Sequence, residues 1–328
     1  MRARTPLAYS AESIASTIRE SLQDFRFSVH HNWFARPQIL GMLVDLARAM
    51  MIRGDVLHVT GDCGYIALAL RGRRTVLTIL DCATYWRTRG LRRWLYGQLW
   101  IKLPASRARE IIVISETVRR DVLVITGLPA ARVNVVHCCI SSAFFECGSS
   151  RPLRPAACPV LLQVGTTANK NIERVAESLG GLPCKLVVIG RLMPSQEQAL
   201  RRHGIDYVAR AGLSLHEMVD AYRRCDAVVF ASTFEGFGLP IIEAQASGRP
   251  VVASDIEVHR EIADQSACFV DPLDAESIRA GVERVLRDAG YREHLIGLGR
   301  RNARRFTAAQ MAVSYAVSYR KVIEARHG

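Results

Sequence analysis

The chain has 328 residues, 49% of them hydrophobic and 23% charged, and its formal net charge is +13. This length exceeds what one hydrophobic core usually supports, so we expect two globular domains. No apolar run approaches the roughly 18 residues of a membrane span, and the first 22 residues do not follow the pattern of a secretory signal. Nine cysteines without a C-x-x-C pair or metal-ligand spacing exclude a disulfide framework and a structural zinc site, and favour a cytoplasmic protein.

The positive charge comes mainly from arginine, and it predicts attraction to anionic partners such as nucleotide diphosphates, acidic lipids or nucleic acid. A nucleic-acid-binding protein also carries a recognition motif, and we find no helix-turn-helix, zinc-finger or RNP-like pattern in the sequence. We therefore expect no nucleic-acid partner.

The first half of the chain alternates strands and helices, which indicates an α/β domain with a parallel sheet. Apolar patterns predict helices over residues 13–25, 40–51 and 117–124, and strands over residues 27–30, 55–59, 74–80, 110–115 and 133–136. Residues 1–10 carry neither a strand pattern nor a glycine-rich turn. Because a doubly wound domain normally places its first strand centrally, we expect a first domain with fewer strands than usual, or a start codon that lies upstream.

Residues 86–109 are the most distinctive segment of the first half, with three tryptophans, seven basic residues and no acidic residue. On one helix, Trp94, Leu95, Leu99 and Leu103 form an apolar stripe. A basic helix with tryptophans is typical of an element that lies on an anionic membrane, here its inner face. The alternative is a surface helix that covers the first domain and keeps its arginines in solvent.

The second half of the chain follows a linker rich in Gly, Ser and Pro over residues 146–159. Strands are predicted over residues 160–164 and 185–190, and helices over residues 213–222, 275–286 and 307–323. This pattern predicts a first domain over residues 1–148, a second over residues 149–306 and a terminal helix within residues 307–328.

A β–loop–α–β unit over residues 226–253 is the strongest local feature of the sequence. The apolar run 227–231 predicts a buried strand, and Pro240 suits the first turn of a helix that ends at Gly248. The loop between them carries Gly236 and Gly238, so backbone N–H groups at the helix start are placed to receive an anion such as a diphosphate. Glu235 stands in this loop, eight positions before a second glutamate in the helix.

This unit resembles the E-x7-E signature of retaining family 4 glycosyltransferases. The resemblance rests on the sequence EGFGLP from Glu235, on Glu243-Ala244, on GRPVVAS from Gly248 and on FVDP from Phe269. It implies an α/β fold of the GT-B class, with two Rossmann-like domains that face each other across a cleft. It also implies that the second domain binds a nucleotide sugar, and that the terminal helix crosses back onto the first domain.

The resemblance assigns roles in donor binding to several residues of the second half. Glu243 would bind the ribose hydroxyls, and Glu235, the candidate catalytic residue, would bind hydroxyls of the donor sugar. The diphosphate charge would be carried by a lysine and by amides at the helix start, which are Lys170, Phe237, Gly238 and Leu239.

A second donor loop follows the strand over residues 160–164. In the family an arginine follows the glycine that corresponds to Gly165, and here Thr166 occupies that place. The lysine is retained as Lys170, whose position at a helix start is unfavourable unless an anion offsets its charge. Arg191, after the next strand, is a candidate for the missing second cation, and the alternative is a solvated arginine.

The first half retains one candidate catalytic residue, Asp81. Family members commonly end this strand with a His-Asp pair, and Leu80 occupies the place of the histidine here. His58 is a candidate substitute, and its alternative role is a hydrogen-bonded structural residue.

These inferences predict a retaining, metal-independent glycosyltransferase without a cofactor. It would move a sugar from a UDP-, GDP- or ADP-sugar to a saccharide or lipid-linked acceptor in polysaccharide biosynthesis. Two alternatives stay open. One is an enzyme that acts on a sugar nucleotide without an acceptor, such as an epimerase, although the EGFGLP loop argues against it. The other is a non-catalytic sugar-nucleotide-binding protein, which Thr166, Leu80 and the altered N-terminal region favour.

Overall fold

The computed structural model describes residues 6–30, 39–61, 63–70, 74–146 and 158–324. The chain divides into two compact units, one formed by Met1–Cys139 with Ala308–Gly328 and the other by Ile140–Thr307. The division after Cys139 precedes the predicted one after residue 148. Most of the predicted linker, residues 147–157, lies outside the described residues, as do residues 1–5 of the predicted altered start.

The first unit is built on a parallel sheet of four strands within the described residues. The strands are β1 (Leu57–Thr60), β2 (Thr75–Ile79), β3 (Glu110–Val113) and β4 (Val133–Val135), in the order β1-β2-β3-β4. Val76, Leu77 and Ile111 are buried, as expected for parallel strands covered on both faces. Among the described residues this sheet has two strands fewer than that of the second unit, and the expected reduction of the first domain stays a prediction.

Seven helices accompany this sheet among the described residues. They are α1 (Pro6–Ser21), α2 (Ile39–Ala49), α3 (Ala83–Arg87), α4 (Gly90–Tyr96), α5 (Leu103–Arg107), α6 (Glu116–Thr126) and, from the end of the chain, α15 (Ala308–Glu324). The terminal helix α15 packs against α1 and β2, so it belongs to the first unit.

The strand predicted over residues 27–30 does not form. This segment has no ladder partner among the described strands, and its side chains contact a helix instead. The rings of Phe25 and Phe27 lie 5.7 Å and 6.5 Å from the ring of Tyr319 in α15. The prediction of a strand here was therefore wrong: Phe25 and Phe27 are half-buried against α15, and Val29 is exposed.

Residues 90–107 form one continuous helical stretch, in which a π-helical turn over Gly97–Lys102 joins α4 to α5. This stretch contains the predicted stripe, and it begins at Gly90, with φ +56°, after an extended residue. Trp100 packs inward, stacked on Tyr96 with ring centroids 5.5 Å apart. Trp94 stays exposed, so the tryptophans do not share one face.

The second unit is built on six parallel strands in the order β10-β9-β8-β5-β6-β7. The strands are β5 (Val160–Val164), β6 (Lys185–Ile189), β7 (Asp206–Arg210), β8 (Ala227–Phe230), β9 (Val251–Ser254) and β10 (Cys268–Val270). Leu161 pairs with Leu186 on one side and with Ala227 on the other. Together with the first sheet, this confirms the predicted α/β class with two parallel sheets.

Within the described part of this unit, eight helices connect and cover these strands. They are α7 (Ala143–Glu146), α8 (Ile172–Leu179), α9 (Pro194–Arg202), α10 (Leu215–Arg224), α11 (Leu239–Ala246), α12 (Glu257–Ala263), α13 (Ala275–Arg287) and α14 (Ala289–Ala303). Helix α11 has Pro240 in its first turn and ends shortly before Gly248, which has φ +66°, as the sequence predicts. Helices α9, α12 and α14 and strands β7 and β10 were not predicted.

Candidate functional site

The candidate site lies where the direction of winding in the six-stranded sheet reverses. From β5 the chain adds β6 and β7 on one side, and it then crosses to add β8, β9 and β10 on the other. Parallel sheets bind ligands at such a switch point, outside the carboxyl ends of the strands. The loops that follow β5, β6 and β8 carry nearly all of the predicted donor-binding residues of this unit.

Lys170 and Glu235 form an ion pair across these loops. Lys170 Nζ donates to Glu235 Oε1 at 2.6 Å, and the two side chains are only 15% and 14% exposed. Asn169 Nδ2 donates to the same oxygen at 3.2 Å. Lys170 Nζ also lies 4.6 Å from the ring centroid of Phe230, a cation–π distance. The cation predicted for the diphosphate is thus already paired with the carboxylate predicted for the sugar.

The backbone around Lys170 holds its side chain against the loop. Gly165 has φ +89°, and a Cβ there would lie 2.7 Å from Lys170 Cε, so only glycine leaves space for the lysine stem. Gln163 Nε2 donates to the Lys170 carbonyl at 3.1 Å. Asn171 follows in the left-handed region with φ 60°, and its amide donates to Ala231 O at 3.0 Å. These contacts fix the lysine relative to the end of β8.

Glu243 is half-buried on α11 and is held by Tyr222, a fully buried residue of α10. The Tyr222 hydroxyl donates to Glu243 Oε2 at 2.5 Å. Burial raises the pKa of Glu243 to about 7, against the opposing effects of this hydrogen bond and of Lys170. Burial and the neighbouring carboxyl raise the pKa of Tyr222 well above its usual value, so the phenol stays a donor.

The glycine loop leads directly into α11. Gly238 adopts φ +123°, which favours glycine, and it is the N-cap of the helix. Phe237 is buried and meets Phe306 edge-to-face at 5.9 Å, so the loop is anchored to the core. Leu239 is half-buried in the first turn. The predicted amides therefore lie at the positive end of the α11 dipole.

His259 on α12 lies behind this loop and was not predicted from the sequence. It is fully buried, its ring centroid lies 5.1 Å from that of Phe230, and its Nδ1 lies 3.2 Å from the Ser254 carbonyl oxygen. Burial lowers the pKa of His259 to about 3. Tyr222 was also missed, because no local pattern links either side chain to the glycine loop.

Thr166 and Arg191 occupy the loops after β5 and β6. Thr166 packs against Gly190, where a Cβ would lie 2.6 Å from Thr166 Cγ2, and its carbonyl accepts from Gln196 Nε2 at 2.9 Å. The residue in the expected arginine position therefore has a packing role. Arg191 is exposed, and its role as a second cation stays a prediction.

Asp81 belongs to the first unit and follows β2. Its Oδ1 accepts from the Ala83 backbone N–H at 2.8 Å, which satisfies an amide at the start of α3. His58 on β1 forms hydrogen bonds with Tyr319 Oη at 2.8 Å and Thr78 Oγ1 at 2.7 Å, and burial lowers its pKa to about 4. These contacts favour the structural alternative for His58.

Within the part of the chain that the structure describes, no group of three or more His, Cys, Asp or Glu side chains could hold a metal ion. Among the same residues, no helix is both long and apolar enough to cross a bilayer.

Two family models match the chain, one over each half. The model described as Glycosyltransferase Family 4 matches residues 11–144, and the model described as Glycosyl transferases group 1 matches residues 158–288. The second match contains Lys170, Glu235 and Glu243.

Several similar proteins are mannosyltransferases. The O-antigen chain mannosyltransferase RfbU of Salmonella typhimurium is 24% identical over 224 residues, which are 65% of this chain and 61% of the relative. O-antigen chain mannosyltransferase B of Escherichia coli is 26% identical over 260 residues, or 70% of this chain and 65% of the relative. The MMP alpha-(1->4)-mannosyltransferase of Mycolicibacterium hassiacum is 26% identical over 301 residues, or 82% and 71%. The matches thus span less than two thirds of the first two relatives.

Solved structures of glycosyltransferases share the fold of this chain. WaaG, a glycosyltransferase involved in lipopolysaccharide biosynthesis, superposes with a TM-score of 0.74 at 13% identity, covering 96% of each chain. Anabaena HepE in complex with UDP and glucose gives a TM-score of 0.70 at 14% identity, covering 86% of this chain and 82% of HepE. The fold is therefore GT-B, with two Rossmann-like units. The two family models, which between them match residues 11–144 and 158–288, show that the chain belongs to glycosyltransferase family 4.

Proposed function

We propose that this protein transfers a sugar from a nucleotide-sugar donor to a saccharide or lipid-linked acceptor in polysaccharide biosynthesis. The observation that carries the proposal is the Lys170–Glu235 pair, which lies beside the N-terminus of α11 at the switch point of the second sheet. Mannose is the first donor sugar to test, since three relatives are named mannosyltransferases.

Each part of the site suits one part of such a donor. Lys170 and the amides at the start of α11 would stabilise the negative charge that develops on the leaving diphosphate. Glu243, oriented by Tyr222, presents its second carboxylate oxygen to the ribose hydroxyls. Glu235, once released by Lys170, would accept hydrogen bonds from hydroxyls of the transferred sugar. Because these groups supply the charge stabilisation, we propose transfer without a divalent ion or cofactor. We also propose retention at the anomeric carbon, which is what the resemblance of Glu235 and Glu243 to the E-x7-E signature implies.

Donor binding and turnover test this proposal in two steps. Thermal unfolding is measured with UDP, GDP, ADP and their hexose conjugates, including GDP-mannose, and each stabilising conjugate is then assayed for loss of donor in the presence of saccharide and lipid-linked acceptors. Glu235→Gln and Glu243→Gln should lose turnover while they stay folded. Glu197→Gln, a change on α9 at a side chain that is 45% exposed, is the matched control. Normal turnover in both site variants contradicts the assignment.

A non-catalytic sugar-nucleotide-binding protein is the second candidate function. It is favoured by Thr166, which packs on Gly190 in the place of the family's arginine. A binding protein would be stabilised by a nucleotide sugar but would leave it intact with every acceptor. Consumption of donor that Glu235→Gln abolishes rejects this candidate.

We further propose that α4 attaches the protein to an anionic membrane and so brings it near a lipid-linked acceptor. Leu91, Trp94 and Leu95 are 70%, 58% and 42% exposed on this short helix, and Arg89 and Arg92 beside them are exposed as well. Exposed apolar side chains next to arginines fit a lipid surface, where each basic residue contributes about 1 kcal/mol.

Cosedimentation with vesicles tests this attachment. The protein should bind vesicles that contain phosphatidylglycerol more strongly than vesicles of phosphatidylcholine alone, and salt should weaken the binding. The double variant Leu91→Ser/Trp94→Ser should lose it, whereas Leu273→Ser, which removes an exposed leucine of the second unit, should not. Binding that ignores anionic lipid and salt contradicts the attachment.

A further inference from the structure

His259 has one ring nitrogen that the protein does not satisfy. Nδ1 lies 3.2 Å from the Ser254 carbonyl oxygen, and Nε2 is buried with no hydrogen-bond partner among the described residues. A carbonyl oxygen only accepts hydrogen bonds, so Nδ1 must carry the proton and donate it. Nε2 therefore presents a lone pair, and its partner must be an O–H or N–H group.

The burial of His259 makes this tautomer stable across the physiological range. The side chain is fully buried, and burial lowers the pKa of the ring to about 3. The imidazole thus stays neutral and is a pure acceptor at Nε2. It cannot donate to a phosphate oxygen, which separates its chemistry from that of Lys170.

The unsatisfied nitrogen lies next to the glycine loop of the candidate site. A Cβ on Gly238 would lie 3.5 Å from His259 Cδ2 and 3.9 Å from Nε2, so the absent side chain leaves the ring close to the loop backbone. The His259 and Lys170 side chains both lie over Phe230, at 5.1 Å between ring centroids and 4.6 Å from Nζ to the centroid. His259 and Lys170, the cation of the Lys170–Glu235 pair, thus share Phe230 as a neighbour.

A second unsatisfied group lies in the same network. Ser254 Oγ donates to the Ser232 carbonyl at 2.6 Å, and the Ser232 hydroxyl itself is buried without a partner among the described residues. Buried polar atoms in folded proteins are nearly always hydrogen-bonded. Two such atoms linked through Ser254 indicate a polar surface that a ligand completes.

We propose that His259 Nε2 accepts a hydrogen bond from a hydroxyl of the donor's sugar. This bond would make the site bind the nucleotide sugar more tightly than the nucleoside diphosphate alone. The inference rests on the proposed donor site and adds a specificity-determining residue to it. Phosphate oxygens carry no proton to donate at neutral pH, and the ribose hydroxyls are assigned to Glu243, so we assign the Nε2 acceptor to a hydroxyl of the transferred sugar. The neighbouring Glu235 is the second acceptor predicted for the same sugar.

Two substitutions separate this role from a structural one. In His259→Asn the amide nitrogen takes the position of Nδ1, so the bond to Ser254 is retained and only the Nε2 acceptor is lost. In His259→Gln the amide reaches the position of Nε2 and partly replaces it. His203→Asn, in a half-exposed residue that follows α9, is the matched control.

Affinities for GDP and GDP-mannose, or for whichever nucleoside diphosphate and sugar conjugate stabilise the wild-type chain, are measured by calorimetry. His259→Asn should weaken binding of the conjugate about tenfold more than binding of the diphosphate, as expected for one hydrogen bond. His259→Gln should recover part of this difference, and His203→Asn should show none. Equal loss for both ligands, or no loss for either, overturns the inference.

Nitrogen NMR of histidine-labelled wild-type protein tests the same inference without a substitution. The Nε2 resonance of His259 should have the position of an unprotonated nitrogen, and it should shift upfield with the sugar conjugate but not with the diphosphate. A protonated Nε2, or equal shifts with both ligands, overturns the inference. If the wild-type chain binds neither class of ligand, the proposed function fails and this inference fails with it.

Discussion

Replacing Lys170 with methionine should impair both the fold and the binding of nucleoside diphosphate. Methionine keeps a flexible stem against Gly165 and Phe230 but removes the charge. Glu235 then retains only the Asn169 amide as a partner, at 3.2 Å. The carboxylate is left largely buried and without its cation, which is the costly way to break an ion pair.

The size of the stability effect follows from the burial of the pair. Exposed pairs contribute about 0.2–1 kcal/mol, and removal of one partner from a fully buried pair costs about 3–5 kcal/mol. With side chains 15% and 14% exposed, Lys170 and Glu235 lie between these limits. We expect Lys170→Met to lower the free energy of unfolding by about 2 kcal/mol. Adding Glu235→Gln should restore most of this loss, because no unpaired carboxylate remains.

The effect on binding separates the two partners of the pair. Lys170→Met should weaken the binding of nucleoside diphosphate by about 1.5–3 kcal/mol, or about 10- to 150-fold in Kd. This is the range for a hydrogen bond to a charged group. Glu235→Gln should instead increase the affinity for nucleoside diphosphate about threefold to tenfold, because Lys170 no longer has to break an ion pair at 2.6 Å. The same variant should lose sugar transfer.

Calorimetry and urea unfolding of the two single variants and the double variant measure these effects. Lys185→Met, which removes an exposed pair with Asp206 in the same unit, is the control and should change neither quantity by more than about 1 kcal/mol. Unchanged diphosphate affinity in Lys170→Met would return the lysine to a purely structural role. If Glu235→Gln lowers the affinity for diphosphate as much as Lys170→Met does, the two residues act as one unit and Glu235 does not compete with the donor for Lys170.

Three further predictions concern the same unit. Burial raises the pKa of Glu243 from 4.5 to about 7 in the folded state. The protonated carboxyl therefore favours folding at low pH, and this advantage is lost as pH rises through 7. The unfolding free energy of wild type minus that of Glu243→Gln should fall by about 2–3 kcal/mol between pH 5 and 8 in urea titrations, and a constant difference would contradict the burial effect. Gly238 has φ +123° and close neighbours, so Gly238→Ala should lower the free energy of unfolding by about 1–3 kcal/mol and should also lose diphosphate binding. Gly212 has φ +71° and nothing within 4 Å, so the control Gly212→Ala should still bind the diphosphate in calorimetry. Gly190→Ala should destabilise the fold, because the new Cβ would lie 2.6 Å from Thr166 Cγ2. Adding Thr166→Ala should recover part of the loss in thermal unfolding. No recovery would show that the strain lies in the backbone alone.

The elements that the sequence predicted well are those fixed by local chemistry. The unit from β8 to β9 was found because a buried strand, a proline in the first helical turn and a glycine at the helix end follow one another directly. Strand β7 was missed because the side chains of Asp206–Arg210 are largely exposed, so they form no apolar run. Strand β10 has only three residues, Cys268–Val270, too few for a pattern. In residues 86–109 the apolar spacing reveals neither the break before Gly90 nor the π-helical turn over Gly97–Lys102.

Contacts between distant residues account for what the sequence did not predict at the site. Lys170 and Glu235 were each identified, but they are 65 positions apart, and no local signal indicates that they bind each other. Tyr222 lies 21 positions before Glu243 on another helix. His259 gains its importance from one unsatisfied nitrogen, which only the packed structure reveals. The residue types at a donor site are thus visible in the sequence, whereas their partners depend on tertiary packing.

These internal partners determine how the site can receive a donor. Lys170 is bonded to Glu235, and Glu243 is bonded to Tyr222. A donor that binds Lys170 must replace an existing ion pair, so the gain from its diphosphate is the difference between two charged interactions and not the whole of one. In the proposed function, Glu243 would keep its hydrogen bond to Tyr222, because the ribose needs only the second oxygen of the carboxylate. The sugar would reach Glu235 only after the diphosphate has displaced the Lys170 side chain. The proposed roles therefore make binding of the diphosphate and release of the Glu235 carboxylate one coupled exchange, in which the leaving group would prepare the site for the group to be transferred.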